Sequence, residues 1–153
     1  REGVKKRIAK KSATGKKKKK KKFIDTNIFL RYLTKDDPLR YDRCKGLFKK
    51  TIEGKLDLVT SGMVIAELVW TLLSHYKAPK ADVIEKISII VSTKNIFIPE
   101  KDIIVDALVL FGRKNIDYID AYNAVFMKYH GLNEVYSYDT DFDTIENIKR
   151  EEP

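Results

Sequence analysis

Phe23-Ile24-Asp25-Thr26-Asn27-Ile28-Phe29-Leu30-Arg31-Tyr32-Leu33 is the stretch that decides the fold. Residues 22–25 read as a short buried strand that ends on a carboxylate. Apolar residues then recur at helical spacing over 27–33, and Asp36-Asp37-Pro38 stops the run. The alternation repeats along the chain. A helix over 38–53, with Leu39, Leu47, Phe48 and Ile52, is ended by Gly54. A strand follows over 56–60, and Ser61 caps a helix reaching about residue 76. A helix over 80–91 leads to a strand over 95–98, closed by Pro99. The helix over 101–113 carries Ile104, Ala107, Leu108 and Phe111 as one stripe. The next helix runs from 117 or 118 to 129 and stops at Gly131. A strand over 134–137 and a helical turn over 142–145 complete the reading. Strands alternating with helices imply an α/β fold with a mainly parallel sheet covered by helices. In such sheets, sites form at the carboxyl ends of the strands.

Four acids stand where these segments begin or end, each in apolar sequence: Asp25, Glu67, Asp120 and Asp139. Asp25 and Asp139 fall just past strand ends, so parallel strands would place them at one edge. Glu67 has Met63, Val64 and Trp70 as its helical neighbours. It reads either as a boundary residue reaching water or as a group with a partner. Asp117, Asp120 and Asn123 share a helix face at spacings of three. Asp120, beside Ala121 and Ala124, is assigned to the site, and Asp117 to capping or an auxiliary role. Among Asp139, Asp141 and Asp143, Asp139 is the first choice and Asp141 the second, while Asp143 is expected to be solvated or a cap. An Asp after a strand is often only a helix cap, so Asp25 reads either as the cap of the first helix or, with Thr26 or Asn27 capping instead, as a free site carboxylate. Carboxylates withdrawn from water repel one another unless a hard divalent cation such as magnesium or manganese compensates them. The set therefore points to a metal-dependent phosphodiesterase.

The rest of the composition narrows the field. The chain of 153 residues, 43% hydrophobic, is expected to form one domain. No apolar run approaches the ~18 residues needed to span a bilayer, and no secretory pattern is read at the N-terminus. One cysteine, Cys44, fits a reducing cytoplasm. Two distant histidines and one cysteine make no zinc cluster. The formal charge of +9 misleads about the folded part. Residues 1–22 hold 13 Lys/Arg and one acid, whereas residues 23–153 hold 18 Lys/Arg and 21 acids, a net −3. The basic stretch ends in Lys16 to Lys22 and is expected to be a disordered tail ahead of a domain over 23–153, its last lysines opening the first strand. It reads as a nucleic-acid-binding arm or as an adventitious extension.

Ser12-Ala13-Thr14-Gly15-Lys16 is not a phosphate loop, because position 10 is Lys10 and no Ser or Thr follows Lys16. Asp139, Asp141 and Asp143 are not a calcium loop, because Thr144 and Arg150 stand where glycine and glutamate are needed. Nor does Asn27 allow the paired aspartates of a haloacid-dehalogenase-type phosphatase.

Four motifs in this order make the chain resemble PIN-domain proteins, most of all the toxin of VapBC-type toxin–antitoxin pairs. They are Phe23–Leu33, Ser61–Trp70 with Ala66-Glu67, Asp117–Ala124 and Ser137–Phe142. The resemblance implies a three-layer α/β/α sandwich and magnesium- or manganese-dependent cleavage of RNA to a 5′-phosphate and a 3′-hydroxyl. It implies a catalytic quartet of Asp25, Glu67, Asp120 and Asp139, with the metal on Asp25, Asp120 and Asp139. Thr26, Asp117, Asp141 and Asn123 would be auxiliary, Thr26 matching the residue that supports the first Asp. It also implies a homodimer and an antitoxin whose basic side chain enters the cleft. Arg31 is a candidate RNA contact. The basic stretch ahead of the first strand departs from the family pattern and points to a fusion or an added extension. The alternatives are a non-catalytic nucleic-acid-binding or scaffold module of the same fold, and a structure-specific DNA nuclease.

Overall fold

The computed structural model describes residues 19–153. The expectation of a disordered tail falls mostly on residues 1–18, which lie outside the described residues.

Strand β1, Lys21–Phe23, takes in the last two lysines of the run, so the folded part begins earlier than residue 23. It pairs in parallel with β2, Asp57–Val59, which pairs in parallel with β3, Ile96–Phe97. A second parallel pair joins β4, Glu134–Tyr136, to β5, Lys149–Glu151. Every pairing is parallel, as expected, but the strands form two sheets, ordered β1-β2-β3 and β4-β5. Six helices are layered with these strands in an α/β/α architecture: α1 Thr26–Thr34, α2 Pro38–Ile52, α3 Gly62–Ser74, α4 Lys80–Ser92, α5 Lys101–Arg113 and α6 Tyr118–Tyr129. A 3-10 turn, Thr140–Thr144, follows β4.

The helix ends have local causes. Pro38 fits the first turn of α2, where its missing N–H is no loss, and the Asp37 carboxylate accepts from Arg40 N at 3.0 Å. Ser61 Oγ accepts from Val64 N at 3.3 Å and starts α3. Gly54 and Gly131, at φ of 77° and 68°, stop α2 and α6 in the left-handed region that glycine enters without strain.

The core gathers one face of each helix. Phe29 of α1, Ile65 and Leu68 of α3, Val83 and Ile87 of α4, Ile104 and Ala107 of α5 and Ala121 of α6 are all fully buried. The α3 helix packs on α1, α4 and α6, and so links the first half of the chain to the second. Among the described residues no helix is long and apolar enough to cross a membrane.

Candidate active site

Asp25 follows β1 and occupies the cap position of α1. Its Oδ1 accepts from Thr26 N at 2.7 Å. Of the two readings, Asp25 itself is the cap, not Thr26 or Asn27. The chain leaves the strand at Asp25 in extended geometry, which is the geometry of a cap. Thr26 is buried, and its hydroxyl donates to Glu67 Oε2 at 2.8 Å. One residue thus ties the end of the first strand to the middle of α3, fixing Asp25 through its backbone and Glu67 through its side chain. Glu67 itself is exposed. It lies between Met63 and Trp70, one turn on either side, which are 80% and 68% exposed.

The second group stands on α6 and the turn after β4. Carboxylate oxygens of Asp117, Asp120 and Asp141 lie within 4.8 Å of one another. Asp120 is half-buried, and its carboxyl is pushed up to about 6. Burial is the main cause, followed by a hydrogen bond and charge from Asp139 and the charges of Asp141 and Asp117. Asp139 Oδ1 also accepts from Asp141 N at 2.9 Å, which holds the two aspartates in register across the turn.

The sequence reading places Asp25, Asp120 and Asp139 as metal ligands and Asp117 and Asp141 as auxiliary. The structure brings Asp120 close to Asp117 and Asp141, and Asp139 hydrogen-bonds Asp120 and caps the turn. Asp117 does hold the cap position of α6, but its side chain makes no capping bond there. The spacing of three between Asp117 and Asp120 was the signal for this pair. Asn123 is exposed on the same helix. Arg31 is engaged by both carboxylate oxygens of Asp36 at 2.7 Å, and Tyr76 donates to the same carboxylate at 3.1 Å. Asp143, expected to be solvated or a cap, is paired with Arg150.

Arg150 was missed. Its guanidinium bonds Asp143 and Glu152, and also the Ser137 carbonyl at 3.0 Å. It thereby pins the loop that carries Asp139 and Asp141 onto β5. The α6 side of the site is held by Tyr118. Its ring is buried edge-on to Phe111 at 5.9 Å, and burial pushes its phenol pKa up.

Two grooves of about 590 Å³ each indent the domain, one between α5 and α6 and one beside β3, and neither is lined by these carboxylates.

A parallel α/β domain with carboxylates clustered between the start of α6 and the turn after β4 is the class that geometry defines. The PIN domain model matches residues 22–148, and the chain belongs to that family. A VapC ribonuclease of Aquifex aeolicus (strain VF5) is 25% identical over 121 residues, covering 79% of this chain and 89% of that protein. Among solved structures, Mycobacterium tuberculosis VapC20, a sarcin-ricin loop cleaving toxin, shares 22% identity over 79% of this chain and 92% of that one, with a TM-score of 0.37. VapBC2 from Rickettsia felis, bound to a DNA fragment from its promoter, shares 19% over 87% and 98%, with a TM-score of 0.36. At those TM-scores the family assignment rests on the domain match and not on superposition.

Proposed function

We propose that this protein is a divalent-metal-dependent endoribonuclease and the toxin of a type II toxin–antitoxin pair. The observation that carries the reading is the Asp117–Asp120–Asp141 set within 4.8 Å. The carboxyl of Asp120 is raised first by burial and then by the hydrogen bond and charge of Asp139 and the charges of Asp141 and Asp117, so repulsion adds to the cost of its charge. A hard cation with oxygen ligands relieves that repulsion, so the residues present fit magnesium or manganese. Membership in the PIN domain family and similarity to a VapC ribonuclease support the same reading.

Asp120, Asp117 and Asp141 would hold the ion, with Asp139 hydrogen-bonded beside them and Asp25 facing the substrate from the end of β1. Bound there, the ion supplies Lewis-acid chemistry at the phosphate. Glu67, oriented by the Thr26 hydroxyl, is placed to accept a proton from the attacking water. Thr26 keeps that carboxylate from turning away. Asp139 keeps Asp141 facing Asp120. The proposed reaction is direct in-line hydrolysis, in which the water oxygen bonds phosphorus as the bond to the 3′-oxygen breaks and that oxygen takes a proton from solvent, leaving a 5′-phosphate and a 3′-hydroxyl.

The exposed Met63 and Trp70 on either side of Glu67 support a protein partner over this face. We assign them to an antitoxin whose arginine competes for the carboxylates, and to part of a homodimer contact. A cytoplasmic location goes with that role. The test is incubation with structured and unstructured RNA, with magnesium, manganese or EDTA. Metal-dependent cleavage with the stated ends supports the reading, and cleavage that is unchanged in EDTA overturns it.

A further inference from the structure

Paired residues of a parallel sheet share a face. Phe23, Val59 and Phe97 are paired across β1, β2 and β3. The row behind them, Lys22, Leu58 and Ile96, faces the other way, and there Leu58 and Ile96 are buried. The Phe23–Val59–Phe97 row points outward, with Phe23 62% and Phe97 50% exposed. Two phenyl rings left in water in one cross-strand row forgo substantial burial and mark a contact surface.

The groove beside the row carries cations only, although Asp57 shares the face of the row. Lys21 holds its ammonium 5.8 Å from the Phe97 ring centroid. The groove of about 590 Å³ beside β3 is lined by Lys21, Lys94 and Lys101 together with Phe97, and no carboxylate lines it. None of these three lysines is ion-paired among the described residues. Asp57 stands opposite Lys21 in the register and is half-buried. Acids outnumber cations over residues 23–153, so the acid-free setting of Lys94 and Lys101 is a local exception, and Lys21 adds a third cation from β1. Phe23 lies two residues before Asp25, at the end of β1.

We propose that this face is a platform for single-stranded RNA, an inference that rests on the ribonuclease reading above. Bases stack on Phe97 and Phe23, phosphates follow Lys21, Lys94 and Lys101, and the strand is led toward Asp25. Every base has a face to stack, and lysines track a backbone without reading sequence. An acidic peptide would use the lysines and leave the rings idle. A second copy would use the rings but bring like-charged lysines together.

The test is fluorescence anisotropy of a labelled oligouridine with the full chain in EDTA, over a range of salt. The basic residues before β1 then contribute equally in every variant. Phe97→Ala should weaken binding about 5-fold or more with the salt slope unchanged, and Phe97→Tyr should keep it. Lys94→Gln with Lys101→Gln should reduce the slope of log affinity against log salt by about 0.7 per lysine. Unchanged affinity in folded Phe97→Ala and Phe23→Ala proteins would overturn the proposal. So would sedimentation showing that Phe97→Ala splits a dimer without affecting RNA, or oligoglutamate displacing RNA from wild type and Phe97→Ala equally. Phe97-dependent binding by a protein that never cleaves RNA would sink the ribonuclease reading and leave the platform standing. Metal-dependent cleavage with binding indifferent to Phe97 would do the reverse.

Discussion

Replacing Asp120 by asparagine should abolish cleavage and stabilise the metal-free domain. The carboxyl is raised from 3.8 to about 6 by burial and by Asp139, Asp141 and Asp117. Two units correspond to a ceiling of about 3 kcal/mol. Asp120 is only half-buried, and solvent screening brings this to about 1.5 kcal/mol. Asp120 also stands in the first turn of α6, where the helix dipole favours a negative charge by about 0.3–1 kcal/mol. Burial and repulsion together outweigh the dipole, leaving a net gain of about 1 kcal/mol, or about 3–5 °C in Tm. The sign follows from linkage. Between 3.8 and about 6 the native state holds a proton that the unfolded chain has lost, so wild-type stability falls as pH rises through that window. The advantage of Asp120→Asn should therefore be full above about pH 6 and vanish below about pH 4. Thermal denaturation in EDTA at both ends of that range is the assay. A lower Tm for the variant at high pH would refute the reasoning and make Asp120 a partner of the helix dipole instead.

Magnesium or manganese should raise the wild-type Tm and leave that of Asp120→Asn unmoved, since only the native state binds the ion; an equal shift in both would remove Asp120 from the site. Thr26→Val, which removes the hydroxyl that donates to Glu67, should cost about 1 kcal/mol and slow cleavage with the fold retained, as read by circular dichroism beside the rate. Arg150→Met should loosen the loop carrying Asp139 and Asp141 and weaken manganese binding by calorimetry, and unchanged affinity would show that the guanidinium does not position them. Leu68→Ala in the core should cost about 2–5 kcal/mol, whereas Trp70→Ala at the surface should cost under about 0.5 kcal/mol in denaturant titration.

The helices were legible because their causes are local. The stripe of Ile104, Ala107, Leu108 and Phe111 gave α5 its bounds, and Ser61 gave the start of α3. Strand β5 was not legible, because Lys149-Arg150-Glu151 has no apolar alternation. It exists through its pairing with β4 and the bonds of Arg150, both long-range. The separation into two sheets is likewise a matter of pairing partners, which no local pattern encodes. The aromatic residues of α1 and α3, with Tyr76 just beyond, divide by tertiary contact, which no local pattern encodes. Trp70 is exposed, but Phe29 is fully buried, Tyr32 packs on Tyr41 and Phe48, and Tyr76 reaches Asp36. At the site, the acids themselves could be read from their apolar settings. Which of them meet could not, because a capping aspartate and a ligand aspartate look alike until the chain turns one toward its neighbours. Asp25 and Asp117 were each placed by that ambiguity.

The most direct test of the central claim is the initial rate of RNA cleavage as manganese is titrated into wild type and Asp120→Asn. The account predicts a rate that starts at zero in wild type, saturates at the concentration where calorimetry shows the ion bound, and stays at zero in the variant. Cleavage by wild type without metal, or a variant that follows the wild-type curve, would contradict it.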